Sequence, residues 1–212
     1  MILCVCSALL CLGVCLPMFM TYKHSLRPVM AAVFKSLGTL CALIIALVAA
    51  LRLDPRCFIC MAALALHMFA DYALEFSFTA GFGLFIAGHV CYIAYFCQVY
   101  PLTSGHLLCL LGFLAILCVL LFRWKKAAGK QLPLFAFYGV ILCLLTTSAV
   151  GGGIFSHTLS GILAAVGAAL FYISDALLCQ KILFPVHSSV SWIVMITYYL
   201  AQLFLASSCL YL

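Results

Sequence analysis

Stretches of about twenty mostly apolar residues follow one another along this chain with only short connections between them. One helical crossing of a bilayer needs a stretch of that length. With 69% of residues hydrophobic and 7% charged, there are too few polar side chains to solvate a globular domain of 212 residues, so the solvent must be lipid. The expectation is an all-α integral membrane protein: a bundle of about eight transmembrane helices in a single polytopic domain over 1–212.

Proline and charge set the boundaries, because proline is tolerated in a first helical turn or in a connection. The segments fall at 2–21, 29–50, 56–77, 81–100, 106–122, 132–150, 157–179 and 189–211. Pro28, Pro55, Pro101, Pro133 and Pro185 lie at or near the breaks, and Pro17 inside the first segment should bend it. Gly151-Gly152-Gly153 reads as a loop between the sixth and seventh segments. Gly161, Ala165 and Ala169, at four-residue steps, form a stripe that admits a neighbouring helix.

The net charge of +6 does not point to nucleic acid, since the bases sit in short runs between apolar segments rather than along one surface. Lys23, Arg27, Arg123, Lys125, Lys126, Lys130 and Lys181 fall on one side of the membrane; only Arg52 and Arg56 fall on the other. The positive-inside rule makes the richer side cytoplasmic and puts both termini outside. The first segment lacks a basic region before its apolar run, which suits a retained helix rather than a signal peptide. The fourteen cysteines lie mostly within apolar segments and read as packing residues. Cys57 and Cys60 have no second pair to complete a zinc site, and no metal or cofactor is expected.

Three of the four acids, Asp71, Glu75 and Asp175, fall within these segments, where an ionised carboxylate costs about 2.5–3.5 kcal/mol on insertion scales. Asp71 and Asp175 each stand about five residues, roughly 8 Å, before the cytoplasmic ends of segments three and seven. Those segments run in the same direction, so the two acids share a depth. Lys35 and His89 fall in the same leaflet, and His67, Asp71 and Glu75 form one helical stripe. Tyr92, Tyr198, Tyr199 and Gln202 can add hydrogen bonds. The candidate catalytic pair is Asp71 and Asp175, with Lys35, His89, Tyr92, Tyr199, Gln202 and Glu75 as candidate substrate-binding residues; His67 reads as a packing residue.

At these residues the chain resembles the YhhN-like membrane family, whose characterised members are lysoplasmalogenases. The likeness lies in Val33-Phe34-Lys35, Ala70-Asp71-Tyr72-Ala73-Leu74, Gly88-His89-Val90-Cys91-Tyr92, the stretch Gly167 to Asp175, and Tyr198-Tyr199-Leu200-Ala201-Gln202. Two positions depart from the family pattern: Ser36, where proline is common, and Ala70, where glycine is. The resemblance implies hydrolysis of the vinyl ether of a lysoplasmalogen to a fatty aldehyde and glycerophospho-ethanolamine or glycerophosphocholine. The partners would then be a lysophospholipid substrate and membrane lipid, in the endoplasmic reticulum if the source is eukaryotic and in the cytoplasmic membrane if bacterial. Two carboxylates close together in low dielectric cannot readily both ionise, which would leave one as acid and the other as anion, with Lys35 and Arg27 holding the phosphate. A transporter or proton-coupled carrier could use the same polar site, a zinc hydrolase could draw on His67, Asp71, His89 and Asp175, and a scaffold could use these groups as interhelical glue.

Overall fold

The computed structural model describes residues 2–212, and among them every regular element is helical. Helix α1 spans Ile2–His24, α2 Pro28–Arg52, α3 Cys57–Ala73, α4 Phe78–Val99, α5 Ser104–Ala128, α6 Leu132–Ser156, α7 Leu159–Leu183 and α8 Ser189–Ser208. A short 3-10 turn, Cys209–Tyr211, extends α8. Six stretches are long and apolar enough to cross a membrane. The longest of them, Ser104–Ser156, reverses at the 3-10 turn Gly129–Gln131 so that α5 and α6 pack together, while α3 is a shorter apolar helix of 17 residues.

The helix ends carry recognisable chemistry. Pro28 and Pro133 sit in first turns, where their missing N–H is no loss. Ser77 and Thr158 cap α4 and α7 by accepting hydrogen bonds from the backbone N–H groups of Ala80 and Gly161. Pro17 is accommodated by widening rather than breaking α1: a π-helical turn spans Cys11–Cys15, and Leu16 N–H donates to the Cys11 carbonyl five residues back.

The glycine run is not a loop. Gly151, Gly152 and Gly153 lie in the last turns of α6, and the reversal into α7 is made by His157, whose backbone is left-handed with φ of 50°. Glycine is needed there because a Cβ at Gly151 would stand 2.3 Å from His106 Cδ2, one at Gly152 2.2 Å from Tyr100 Cδ2, and one at Gly153 2.5 Å from the Gly161 carbonyl oxygen. Gly161 and Ala165 of the small-residue stripe therefore meet α6 at Gly153.

Packing closes α2, α3, α4, α6, α7 and α8 into a ring in which each helix touches the next and α8 returns to α2. Helix α1 packs outside against α2, and α5 outside against α6. Large apolar side chains such as Leu111, Val119 and Phe122 on α5 face outward, as lipid-facing residues do. The interior of the ring is where polar groups escape lipid.

Candidate active site

Every helix of the ring contributes a polar side chain to one buried layer: Lys35 and Thr39 from α2, Asp71 from α3, His89 from α4, Tyr138 from α6, Asp175 from α7, and Tyr198 and Gln202 from α8. Lys35 and Thr39 are one helical turn apart, so both reach the same carboxylate. Asp71 is fully buried; Thr39 Oγ1 donates to its Oδ2 at 2.5 Å and Tyr198 donates to the same oxygen at 2.8 Å. Oδ1 accepts no hydrogen bond and faces the Lys35 ammonium at 3.4 Å. Tyr199 donates to the Lys35 carbonyl at 3.0 Å, tying α8 to α2 at the level of the lysine. Ser36 donates to the Met68 carbonyl at 3.0 Å, so the first departure from the family pattern adds a bond between α2 and α3.

Asp175 sits in a different shell. Tyr138 donates a hydrogen bond to its Oδ2, and His89 Nε2 stands 3.7 Å from the same oxygen. No lysine or arginine pairs with it among the described residues. The orientation of His89 follows from its other nitrogen: Nδ1 lies 2.7 Å from the Phe85 carbonyl, which can only accept, so Nδ1 carries a proton and Nε2 is left to exchange one with the Tyr138–Asp175 pair.

The two acids share no direct hydrogen bond, which revises the expectation of a carboxylate dyad. Their hydrogen-bond networks meet at the Phe85 carbonyl. Gln202 Nε2 donates to the Tyr198 hydroxyl (3.1 Å) and to His67 Nδ1 (2.9 Å), which puts the proton of His67 on Nε2; that N–H and the Nδ1–H of His89 both point at the Phe85 carbonyl, at 3.3 Å and 2.7 Å. Tyr92 donates to Gln202 Oε1 at 2.8 Å and so fixes the amide. His67 thus belongs to the network rather than to plain packing. Tyr92, Tyr199, Gln202 and His89 support the site from behind, whereas Lys35, Asp71, Tyr138, Asp175 and Tyr198 line a cavity.

The rest of that cavity's wall is chiefly apolar, with Phe78, Phe82, Phe85 and Phe135 prominent. Both carboxylates therefore face one hydrocarbon-like space. Among the described residues, no three of the His, Cys, Asp and Glu side chains converge closely enough to hold a metal ion. Glu75 does not join the layer. It lies in the turn after α3 and pairs with Lys23 at the end of α1, because the helix stops at Ala73 and the third member of the stripe rotates out of register. Thr39 and Tyr138 went unnoticed in the sequence, where a threonine or tyrosine within an apolar segment carries no insertion penalty large enough to mark it.

A ring of apolar helices around two buried acids, each held by its own hydrogen bonds, defines a polytopic membrane protein with an internal polar site open to an apolar cavity. A family model, the YhhN family, matches residues 30–209, spanning α2 to α8, and the chain belongs to that family. No curated protein and no solved structure matches the chain.

Proposed function

We propose that this chain is a lysoplasmalogenase, hydrolysing the vinyl ether of an alkenyl lysophospholipid within the bilayer. Membership of the YhhN family supports the hydrolase class. The observation that carries the reading is one apolar cavity onto which two carboxylates of unlike environment open: Asp71 beside Lys35, and Asp175 beside Tyr138 and His89.

The chemistry requires a proton at the β-carbon, giving an oxocarbenium ion; water then adds to the cationic carbon and loses a proton. The hemiacetal collapses by breaking the bond to the glycerol oxygen, which takes up a proton, so that alkenyl ether and water give aldehyde and alcohol. In our assignment Asp175 delivers the proton to carbon and takes one back from the hemiacetal hydroxyl as it collapses, while Asp71 passes the proton it took from water to the glycerol oxygen. Asp71, beside the Lys35 ammonium and two hydroxyl donors, is the anion in this assignment: it stabilises the cation and accepts the proton from water. Lys35 has three N–H donors, so pairing with Asp71 leaves others for a phosphate oxygen.

The chain in this reading crosses the membrane eight times, with α3 a short crossing and the basic loops cytoplasmic. Purified protein given matched alkenyl, alkyl and acyl lysophospholipids should release aldehyde from the alkenyl lipid alone. Equal release of fatty acid from the acyl lipid would refute the assignment. The buried polar layer that holds Asp71 and Asp175 also suits a proton-coupled carrier, a second reading that substrate flux into proteoliposomes without aldehyde would favour.

A further inference from the structure

Arg123, Lys125, Lys126 and Lys130 put four positive charges where α5 ends and turns into α6. The four acids of the chain are engaged elsewhere: Asp54 with Arg56, Asp71 with Lys35, Glu75 with Lys23, and Asp175 inside the ring with Tyr138 and His89. None of these four bases has an acidic partner among the described residues. They do not share one face. Lys125 lies over the lipid-facing ring of Phe122, 3.9 Å from its centroid. Arg123 instead lines a groove between α5 and α7 together with Val119, Leu120, Trp124, Gln180 and Phe184. Lys126, at i+3 from Arg123 and i+7 from Val119, continues the same stripe of α5. The groove stays open because α5 packs chiefly on α6 and touches α7 only sparsely. Helices α5 and α7 run in the same direction, so Arg123 and Gln180, each in the last two turns of its helix, bring a guanidinium and an amide to one end of the groove. Val119 and Leu120, one turn further into the membrane, are apolar; Val119 faces outward and Trp124 is buried.

We infer that the mouth of this groove binds one anionic phospholipid from the leaflet on the basic side, its phosphate held by Arg123 and Gln180 with Lys126 at the edge. The site lies outside the ring and does not depend on the proposed hydrolysis. Its chemistry selects the class of ligand. A guanidinium presents a planar fork of N–H donors that meets two phosphate oxygens at once, and the Gln180 amide can donate to a third. Val119 and Leu120 stand directly below these donors, where a phospholipid carries its glycerol and the start of its chains and where a free phosphate has nothing to contact. A zwitterionic headgroup would bring an ammonium of its own to a patch of four bases without acidic partners, whereas the headgroup of phosphatidylglycerol brings none. Seated there, the lipid bridges the gap that α5 leaves against α7 and ties the outer helix to the ring.

Delipidated protein in a neutral detergent, titrated with phosphatidylglycerol or with phosphatidylcholine of the same chains, tests this. Bound lipid is counted by native mass spectrometry and melting is followed by tryptophan fluorescence. One phosphatidylglycerol per chain should be retained at a concentration at least about tenfold lower than phosphatidylcholine requires, and Tm should rise with it. Arg123→Gln should weaken that binding at least about tenfold, because it removes hydrogen bonds as well as charge. Lys125→Gln, which removes the same charge from a residue turned toward Phe122, should weaken it no more than about threefold. Arg123 is exposed and has no acidic partner, so neither variant disturbs the core. Equal retention of the two lipids by the parent protein would overturn the inference. Equal losses in the two charge-matched variants would also overturn it, since they mark a diffuse basic surface, as would a rise in Tm of the same size with inorganic phosphate alone.

Discussion

Replacing Lys35 by methionine keeps the length of the side chain and removes the charge that faces Asp71 Oδ1, an oxygen that accepts no hydrogen bond from the described residues. Removing one partner of a buried ion pair costs about 3–5 kcal/mol, because the remaining charge is left in low dielectric. The loss should fall near the lower end, since Thr39 and Tyr198 still donate to Oδ2 and the carboxyl can neutralise itself by binding a proton. For a chain of this size, about 3 kcal/mol corresponds to a drop in Tm of about 6–12 °C. Thermal melting of the purified protein in detergent, followed by tryptophan fluorescence and by the monodisperse fraction on size exclusion, reads this directly. The double variant Lys35→Met/Asp71→Asn should recover most of the loss, because no net charge remains buried. A single variant that melts within about 2 °C of the parent, or a double variant whose loss equals the sum of the two singles, would refute the ion-pair argument.

Tyr138→Phe removes the hydroxyl that Asp175 accepts from and should cut kcat about 10- to 100-fold at nearly unchanged Tm, read by aldehyde release from alkenyl lysophospholipid. Gly153→Ala drives a Cβ onto the Gly161 backbone and should cost about 1–3 kcal/mol, whereas Gly83→Ala, with nothing within 4 Å, should be neutral or raise Tm slightly. In the loop between α2 and α3, hydrogen bonds from Arg56 hold the Asp54 carboxyl below its usual range. The small stability it adds is therefore present above the ordinary aspartate pKa and fades as pH falls through the depressed value. The Tm difference between parent and Asp54→Asn should stay constant from about pH 5 to about pH 8 and shrink only below about pH 4; a difference that changes near neutrality would contradict this.

The residues legible in the sequence were those whose presence in lipid is costly. Asp71, Asp175, Lys35 and His89 stand out among apolar neighbours, and counting back from helix ends placed them in one layer, where the ring brings them together. Tyr138 and Thr39 escaped notice because their hydroxyls are cheap to insert and their importance lies in what faces them across the ring. The glycine run misled for a related reason. Glycine breaks helices in water by entropy and backbone exposure, but within apolar helices its missing side chain admits His106, Tyr100 and the α7 backbone. The separate shells of the two acids, and the departure of Glu75 to Lys23, depend on contacts between residues far apart in the chain that no spacing rule encodes.

The central claim is that Asp71 and Asp175 carry the hydrolysis of a vinyl ether. Its most direct test is aldehyde release from an alkenyl lysophospholipid by purified Asp71→Asn and Asp175→Asn, each first shown to be folded by its melting transition and its monodisperse elution. Both should lose at least about a thousandfold in kcat, as expected when an acid or a charge-stabilising group at the reacting carbon is removed. Turnover within about tenfold of the parent in either folded variant would contradict the account.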